Sequence, residues 1–160
     1  MTQLTATVRE YAGRTVDLLA FDGMTLQGEA LLEPTLASGS GALVTGIQKL
    51  AQRFLIELLT EQGTLDYALN RGTLLMTQFR SGVLRTSQDL FSAFSSAEVD
   101  VRNNLRLEED STVDPADERY GSAQLLGATL LGDTATLRIQ LTSAAGESRT
   151  IIYPLRATAL

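Results

Sequence analysis

The feature that most constrains the fold is a change of hydrophobic period at residues 114–122, which read DPADERYGS. Before this stretch apolar residues recur at three- and four-residue steps; after it they alternate at every second residue. The first spacing puts one stripe on a helix and the second puts one face on a strand. Helices and strands are thus segregated along the chain, which predicts an α+β domain rather than a doubly wound parallel one. The stretch itself holds Asp114, Asp117, Glu118 and Arg119. It reads as an active site, a solvated loop or a joint, and composition decides first among these.

No histidine and no cysteine occur among the 160 residues. Ser-His-Asp and Cys-His nucleophiles, histidine- or cysteine-ligated metals and disulfides are therefore excluded. A formal charge of -6 argues against nucleic acid and against anionic lipid as partners, since both need a basic face. The hydrophobic content of 44% is enough for a real core. The opening residues show no basic region leading into an apolar run, and no run approaches the roughly 20 residues that span a bilayer. The expectation is a protein made and kept in a cytoplasm, or in a particle assembled there.

Between residues 44 and 62, Val44, Ile47, Leu50, Ala51, Phe54, Leu55, Leu58 and Leu59 form a wide helical stripe, and Gly63 supplies a stop. Gln48, Lys49, Gln52, Arg53, Glu57 and Glu61 are assigned to the opposite, solvated face. A short helix fits Leu74 to Phe79, begun after Asn70-Arg71-Gly72. A second long helix fits Ser87 to Leu107, carried by Leu90, Phe91, Phe94, Ala97, Val101 and Leu105, with Ser87 or Asp89 as its cap. Beyond the joint, a strand runs to a turn at Gly132-Asp133. A hairpin follows, in which Leu137, Ile139 and Leu141 alternate with polar residues and Ile151, Ile152 and Tyr153 return. Residues 15–34 read as strand, turn and strand, with Asp22-Gly23 as the turn, and residues 37–42 (ASGSGA) as a hinge. Two units are expected: an arm or hairpin over 1–42, which could equally be the first strand pair of the main sheet, and a domain over 43–160. The expected architecture is two long core helices plus a shorter one, packed on a small antiparallel C-terminal sheet, with an N-terminal β-hairpin arm.

The chemistry left open is a carboxylate pair. Glu57 and Glu61 share a helix face and Asp66 is near its end, and glycosidases use two carboxyl groups about 5–10 Å apart. That face is read as the polar one, so solvated charge is the competing account. The acidic residues from Glu108 to Asp117 lack the alternating ligands and central glycine of a calcium loop. No GxxxxGK[ST] or GxGxxG phosphate cradle occurs. Arg119 could fork onto a carboxylate of another element, or stay solvated beside Glu118.

The order of elements over about residues 43–155 resembles the baseplate-wedge family of contractile phage tails, tail-sheath initiators often labelled "lysozyme-like". Leu58-Leu59-Thr60, Gly63 and Arg71-Gly72-Thr73 resemble the family's turn between its helices. Glu118-Arg119-Tyr120 stands where the family has a Glu-Pro-Arg triplet, here with no proline between the charges. Ala123, Leu125, Asp133 and Leu137-Arg138-Ile139-Gln140-Leu141 resemble its strands. The resemblance implies a non-enzymatic structural subunit of the virion tail baseplate, assembled in the host bacterial cytoplasm, with no metal or cofactor. Its implied partners are other wedge proteins, the tail sheath and, as a further candidate, tube subunits, in several copies around a symmetric ring. Glu118, Arg119, Ile151, Ile152 and Tyr153 are the implied partner-binding residues, the last three on a C-terminal strand edge offered to the sheath. The alternatives are an acidic cell-wall glycosidase of a phage tail and an adaptor of a type VI secretion-like baseplate.

Overall fold

A computed structural model describes residues 15, 17–18, 21–26, 29–34 and 43–157. In chain order these form β1 (Asp17–Leu18), β2 (Phe21–Leu26), β3 (Glu29–Pro34), β4 (Leu43–Val44), α1 (Gly46–Leu59), α2 (Leu75–Arg80), α3 (Ser87–Glu108), β5 (Tyr120–Leu131), β6 (Thr134–Ser143) and β7 (Ser148–Arg156). β1 pairs with β4, and the other five strands form one sheet in the order β2-β3-β7-β6-β5. Every neighbouring pair of that sheet is antiparallel except β3 and β7.

The expected architecture is corrected on two counts. Only α3, with 22 residues, is a long helix, since α1 has 14 and α2 has 6. α1 stops short of Gln62 because Thr60 turns extended, at φ -69° and ψ 127°. The Thr60 carbonyl then accepts from the Thr73 N–H at 2.8 Å, so the chain leaves the helix to make a bridge instead of another turn. Nor is the N-terminal hairpin a separate arm on an antiparallel sheet. β3 lies parallel to β7 with Ala30 opposite Ile151 and Leu31 opposite Ile152, so the sheet is mixed. Within it the three C-terminal strands pair antiparallel, as expected for that part. The Asp22-Gly23 dipeptide falls inside β2, opposite Glu33 and Leu32, and the chain reverses after Leu26, where six residue pairs can form. The expected hinge at 37–42 lies outside the described residues.

The core lies between α1, α3 and one face of the sheet. α1 contributes Leu50, Phe54, Leu55 and Leu58, and α3 contributes Leu90, Val101 and Leu105, all fully buried. β6 alternates as its sequence demands: Ala135, Leu137, Ile139 and Leu141 are wholly buried, with half-buried or exposed residues between them. Each such leucine or isoleucine contributes about 1.5–3 kcal/mol by leaving water. Ile151 and Leu155 of β7 complete the apolar face, opposite Ile139 and Ala135. Phe54 stacks on Tyr120 with ring centroids 6.2 Å apart and planes within 5°, fixing α1 to the first residue of β5. α3 opens with a capping box: Thr86 Oγ1 accepts from the Asp89 N–H at 3.1 Å while Asp89 accepts from the Thr86 N–H at 2.9 Å. Asp89 is thus the reciprocal partner and Thr86 the cap. Among the described residues no helix is long and apolar enough to cross a membrane.

β5 begins with a bulge between Tyr120 and Ser122. It brings Gly121 so close to β6 that a Cβ there would lie 2.6 Å from the Ser143 carbonyl oxygen. Gly127, at the second irregularity, faces open space. Gly121→Ala should therefore cost about 1–3 kcal/mol by overpacking against fixed backbone. Gly127→Ala should stay within about 0.5 kcal/mol. Urea unfolding of the two variants, side by side, checks the contrast.

Candidate functional site

Two buried carboxylates organise the polar side of the molecule, one at each end of α1. Glu57 is 3% exposed, not solvated. Its Oε1 accepts from the Gly72 N–H at 2.8 Å and from Asn104 Nδ2 at 2.5 Å. Arg71 meets it side-on, Nε at 2.9 Å and Nη2 at 2.6 Å from Oε2. The other face of the Arg71 guanidinium bonds Glu108 near the end of α3, and Arg53 adds a longer contact to the same carboxylate at 3.4 Å. The cluster ties α1, the 60–74 loop and α3 together. Gly72 is needed within it: φ is +85°, and a Cβ would come within 2.3 Å of the Thr60 carbonyl oxygen. Thr73 completes the junction by donating its hydroxyl to the Leu58 carbonyl and accepting from the Leu75 N–H.

This geometry bears directly on the carboxylate-pair reading. A general acid has to present a proton to substrate, yet both Glu57 oxygens are taken up by donors from this chain. Glu61 bonds Arg80 and accepts from Thr77, and Asp66 is exposed. Two of the three acids proposed from sequence, Glu57 and Glu61, are thus each held by an arginine of this chain. No group of three or more acidic side chains placed to hold a metal occurs among the described residues.

Glu118 is the second buried carboxylate, 1% exposed. It accepts from the Gly46 N–H, the first of α1, at 3.2 Å and from Lys49 Nζ at 3.2 Å. Thr15 donates to the same carboxylate and also meets Lys49. An acid at a helix N-terminus satisfies an unpaired N–H and complements the helix dipole. Two residues on, Asp17 of β1 accepts from Gln52 of α1 at 3.1 Å. The joint is therefore a built object. Asp110 holds Thr112 through its N–H and hydroxyl, and Asp114 accepts from the Asp110 N–H at 2.9 Å. The Ala116 and Arg119 carbonyls receive the N–H groups of Ala145 and Ala144 in the β6–β7 turn. Glu118 locks the first helix, rather than the second, to the entrance of the sheet.

Arg119 makes no fork with a carboxylate among the described residues, and its Nε is buried without a hydrogen-bond partner. Its charge lies close enough to Glu109 to favour that carboxylate. Ile151 is buried, while Ile152 and Tyr153 are half-buried. All three lie in β7, which has β6 on one side and, at Ile151 and Ile152, β3 on the other. Structure thus separates the five residues into an α1 anchor, a neighbouring arginine and a strand that is covered in part. Asn104 was not singled out from sequence, Lys49 and Gln52 were read as solvated, and Arg71 was read as part of a turn with no carboxylate partner. The signal that could have found Arg71 is the Asn70-Arg71-Gly72 turn, where a glycine follows a cation.

Glu108 and Glu109 are adjacent in sequence and shifted in opposite directions. Burial pushes Glu108 up, but the hydrogen bond and charge of Arg71, with help from Arg53, bring it below its ordinary value. Burial also pushes Glu109 up, and there the Tyr120 N–H and the nearby arginines do not reverse it. Tyr120 is itself held well above the usual phenol range, first by burial and then by its hydrogen bond to Glu98. A lowered carboxylate contributes stability above its unfolded value that is lost as pH falls through the folded one; a raised carboxylate contributes stability at low pH that is lost as pH rises. Glu108→Gln should thus be less stable than the parent at pH 7, with the gap closing below about pH 4.5. Glu109→Gln should show its relative gain at pH 7 and lose it in acid. Urea midpoints from pH 3 to 7 check both. Glu57→Gln should cost about 2 kcal/mol, since it weakens charge-assisted bonds to Arg71 and Gly72, and urea unfolding in one buffer checks it.

Comparison with known proteins adds no relative: no family model, no curated protein and no solved structure matches this chain.

Proposed function

We propose that the protein is a structural subunit of a phage-like contractile tail baseplate, joining wedge components and initiating sheath assembly through its C-terminal sheet. One observation carries the reading away from catalysis. Each buried carboxylate, Glu57 and Glu118, is consumed by internal anchoring of α1. Residues that resemble the family's turn and triplet are the same ones that build those anchors: Arg71, Gly72 and Thr73 around Glu57, and Glu118 itself. A second feature supports assembly by strand addition. β5 is the outer strand of the described sheet on one side, and among the described residues β7 is laddered to β3 at Ile151 and Ile152. The partners in this reading are other wedge proteins, sheath and tube subunits in a symmetric ring, in a virion tail put together in the bacterial cytoplasm. A type VI-like baseplate would use the same surfaces. The glycosidase alternative has no observation in its favour, because Glu57 is spoken for by Arg71.

The experiment separates stability from assembly. Arg119→Ala should change stability by less than about 1 kcal/mol, because the guanidinium makes no ion pair among the described residues. Tyr153→Ala trims a half-buried side chain and should leave the fold intact by circular dichroism. Particles carrying either variant should show incomplete baseplates or baseplates without sheath by electron microscopy. Normal sheathed tails with both variants would remove the assembly role. Loss of cell-wall hydrolysis in Glu57→Gln, from a parent that has it, would install the glycosidase in its place.

A further inference from the structure

The ladders of the sheet are unequal in a way that marks one seam. β6 and β7 are in register over nine residue pairs, from Thr134 opposite Arg156 to Thr142 opposite Ser148. β2 and β3 are in register over six. Between β3 and β7 there are two, Ala30 opposite Ile151 and Leu31 opposite Ile152. The hairpin joins the sheet through the shortest of these ladders.

The chain on either side of the hairpin is fastened elsewhere. Upstream, Thr15 bonds Glu118 and Lys49, Asp17 bonds Gln52, and β1 pairs with β4 through Asp17–Val44 and Leu18–Leu43. Downstream, β4 leads directly into α1. The hairpin is therefore an excursion whose two ends are pinned together at the N-terminus of α1. Lifting it off β7 breaks none of those anchors. Tethered in this way, it competes with an outside strand at an effective concentration in the millimolar range, so the contact is reversible without being lost.

We propose that the β2–β3 hairpin is a displaceable cover on the outer edge of β7, and that an extended partner segment takes its place there. The segment pairs parallel with Ile151 and Ile152, as β3 does. Its chemistry is read from the two strands that meet. β7 carries exposed Arg149 and Arg156 on either side of Ile151 and Ile152, and β3 has the sequence Glu-Ala-Leu-Leu-Glu-Pro. The partner is an apolar stretch flanked by acidic residues. A longer ladder along β7 than the two pairs of β3 is what gives the partner its advantage, since backbone hydrogen bonds supply the affinity of strand addition. The identity of that partner as a sheath segment rests on the assembly reading above; the cover itself does not.

The test uses the full chain, whose lack of cysteines makes thiol chemistry clean. Leu31→Cys with Ile152→Cys places two thiols at opposed positions, so oxidation fastens the hairpin down and reduction frees it. Leu31→Pro removes an N–H from β3 and opens the edge. The probe is a fluorescent synthetic peptide with the sequence of residues 21–34, titrated by anisotropy. The peptide should bind Leu31→Pro at least about tenfold more tightly than the parent, and bind the reduced but not the oxidised cysteine pair. Equal binding to oxidised and reduced forms, or none to a Leu31→Pro chain whose urea transition shows an intact body, overturns the cover. Hydrogen exchange on the parent is independent of any variant. β2 and β3 amides should exchange together and at least about a hundredfold faster than those of β6, and equal protection also overturns it. In particles, the oxidised pair should block sheath growth until reduced. Sheath growing on the oxidised form while the peptide result stands removes the assembly reading and leaves the cover.

Discussion

Everything else in the molecule is arranged around a helix held at both ends by buried acids. A carboxylate taken out of water costs several kcal/mol unless its oxygens are matched by donors, so neither Glu57 nor Glu118 can be buried casually. At the C-terminal end of α1, Glu57 recruits Arg71, Gly72 and Asn104, and thereby fixes the loop to α2 and the flank of α3. At the N-terminal end, Glu118 recruits Gly46, Lys49 and Thr15, and thereby fixes the entrance of the sheet and the incoming chain. The apolar stripe of α1 says that it must be buried; the two acids say where along its axis it must stop. Hydrophobic burial alone is non-directional and would allow α1 to slide.

How far this was readable depends on the range of the interaction. β6 announces itself, since a period of two with Leu137, Ile139 and Leu141 on one face admits one orientation. α3 is similarly plain from Leu90 to Leu105, and its cap was placed at Ser87 or Asp89 instead of Thr86 because all three carry capping side chains. Glu57 was assigned to the wrong face although the spacing was there to be read. It falls three residues after Phe54 and seven after Leu50, on the same side as both. Treating every charge as solvent-facing hid a buried acid for which a cation waited in a later turn. Gln52 was lost the same way, one residue beyond Ala51 and three before Leu55.

The seam between β3 and β7 belongs to a different class. Ala30 and Ile151 are separated by most of the chain, and two residue pairs leave no periodic trace in either segment. No local rule distinguishes a hairpin that stands apart from one that adds to a distant strand, because both satisfy the same internal pairing. The Glu118 anchor is intermediate. The charge pair Glu118-Arg119 is conspicuous in sequence, and a joint there was legible, but which helix it would hold depends on the path of the chain in space. Arg119, the more suggestive of the two, turns out to contribute its charge to the setting of Glu109 while its neighbour carries the contact.

That division has a consequence for what the joint can do. Glu118 is enclosed by α1, so it can be altered only by disturbing the fold. Arg119 is half-buried and bonded by no carboxylate among the described residues, so it can change partner without cost to the core. A buried Nε lacking a hydrogen bond is a penalty that the fold carries at this position. A buried anchor and a half-buried arginine are thus placed in adjacent residues with opposite degrees of freedom. The backbone between them is held by the β6–β7 turn, through Ala144 and Ala145. Two adjacent residues therefore tie the joint to two elements, Arg119 through its carbonyl to the β6–β7 turn and Glu118 through its carboxylate to the first turn of α1, so neither element can shift without disturbing the backbone of the joint.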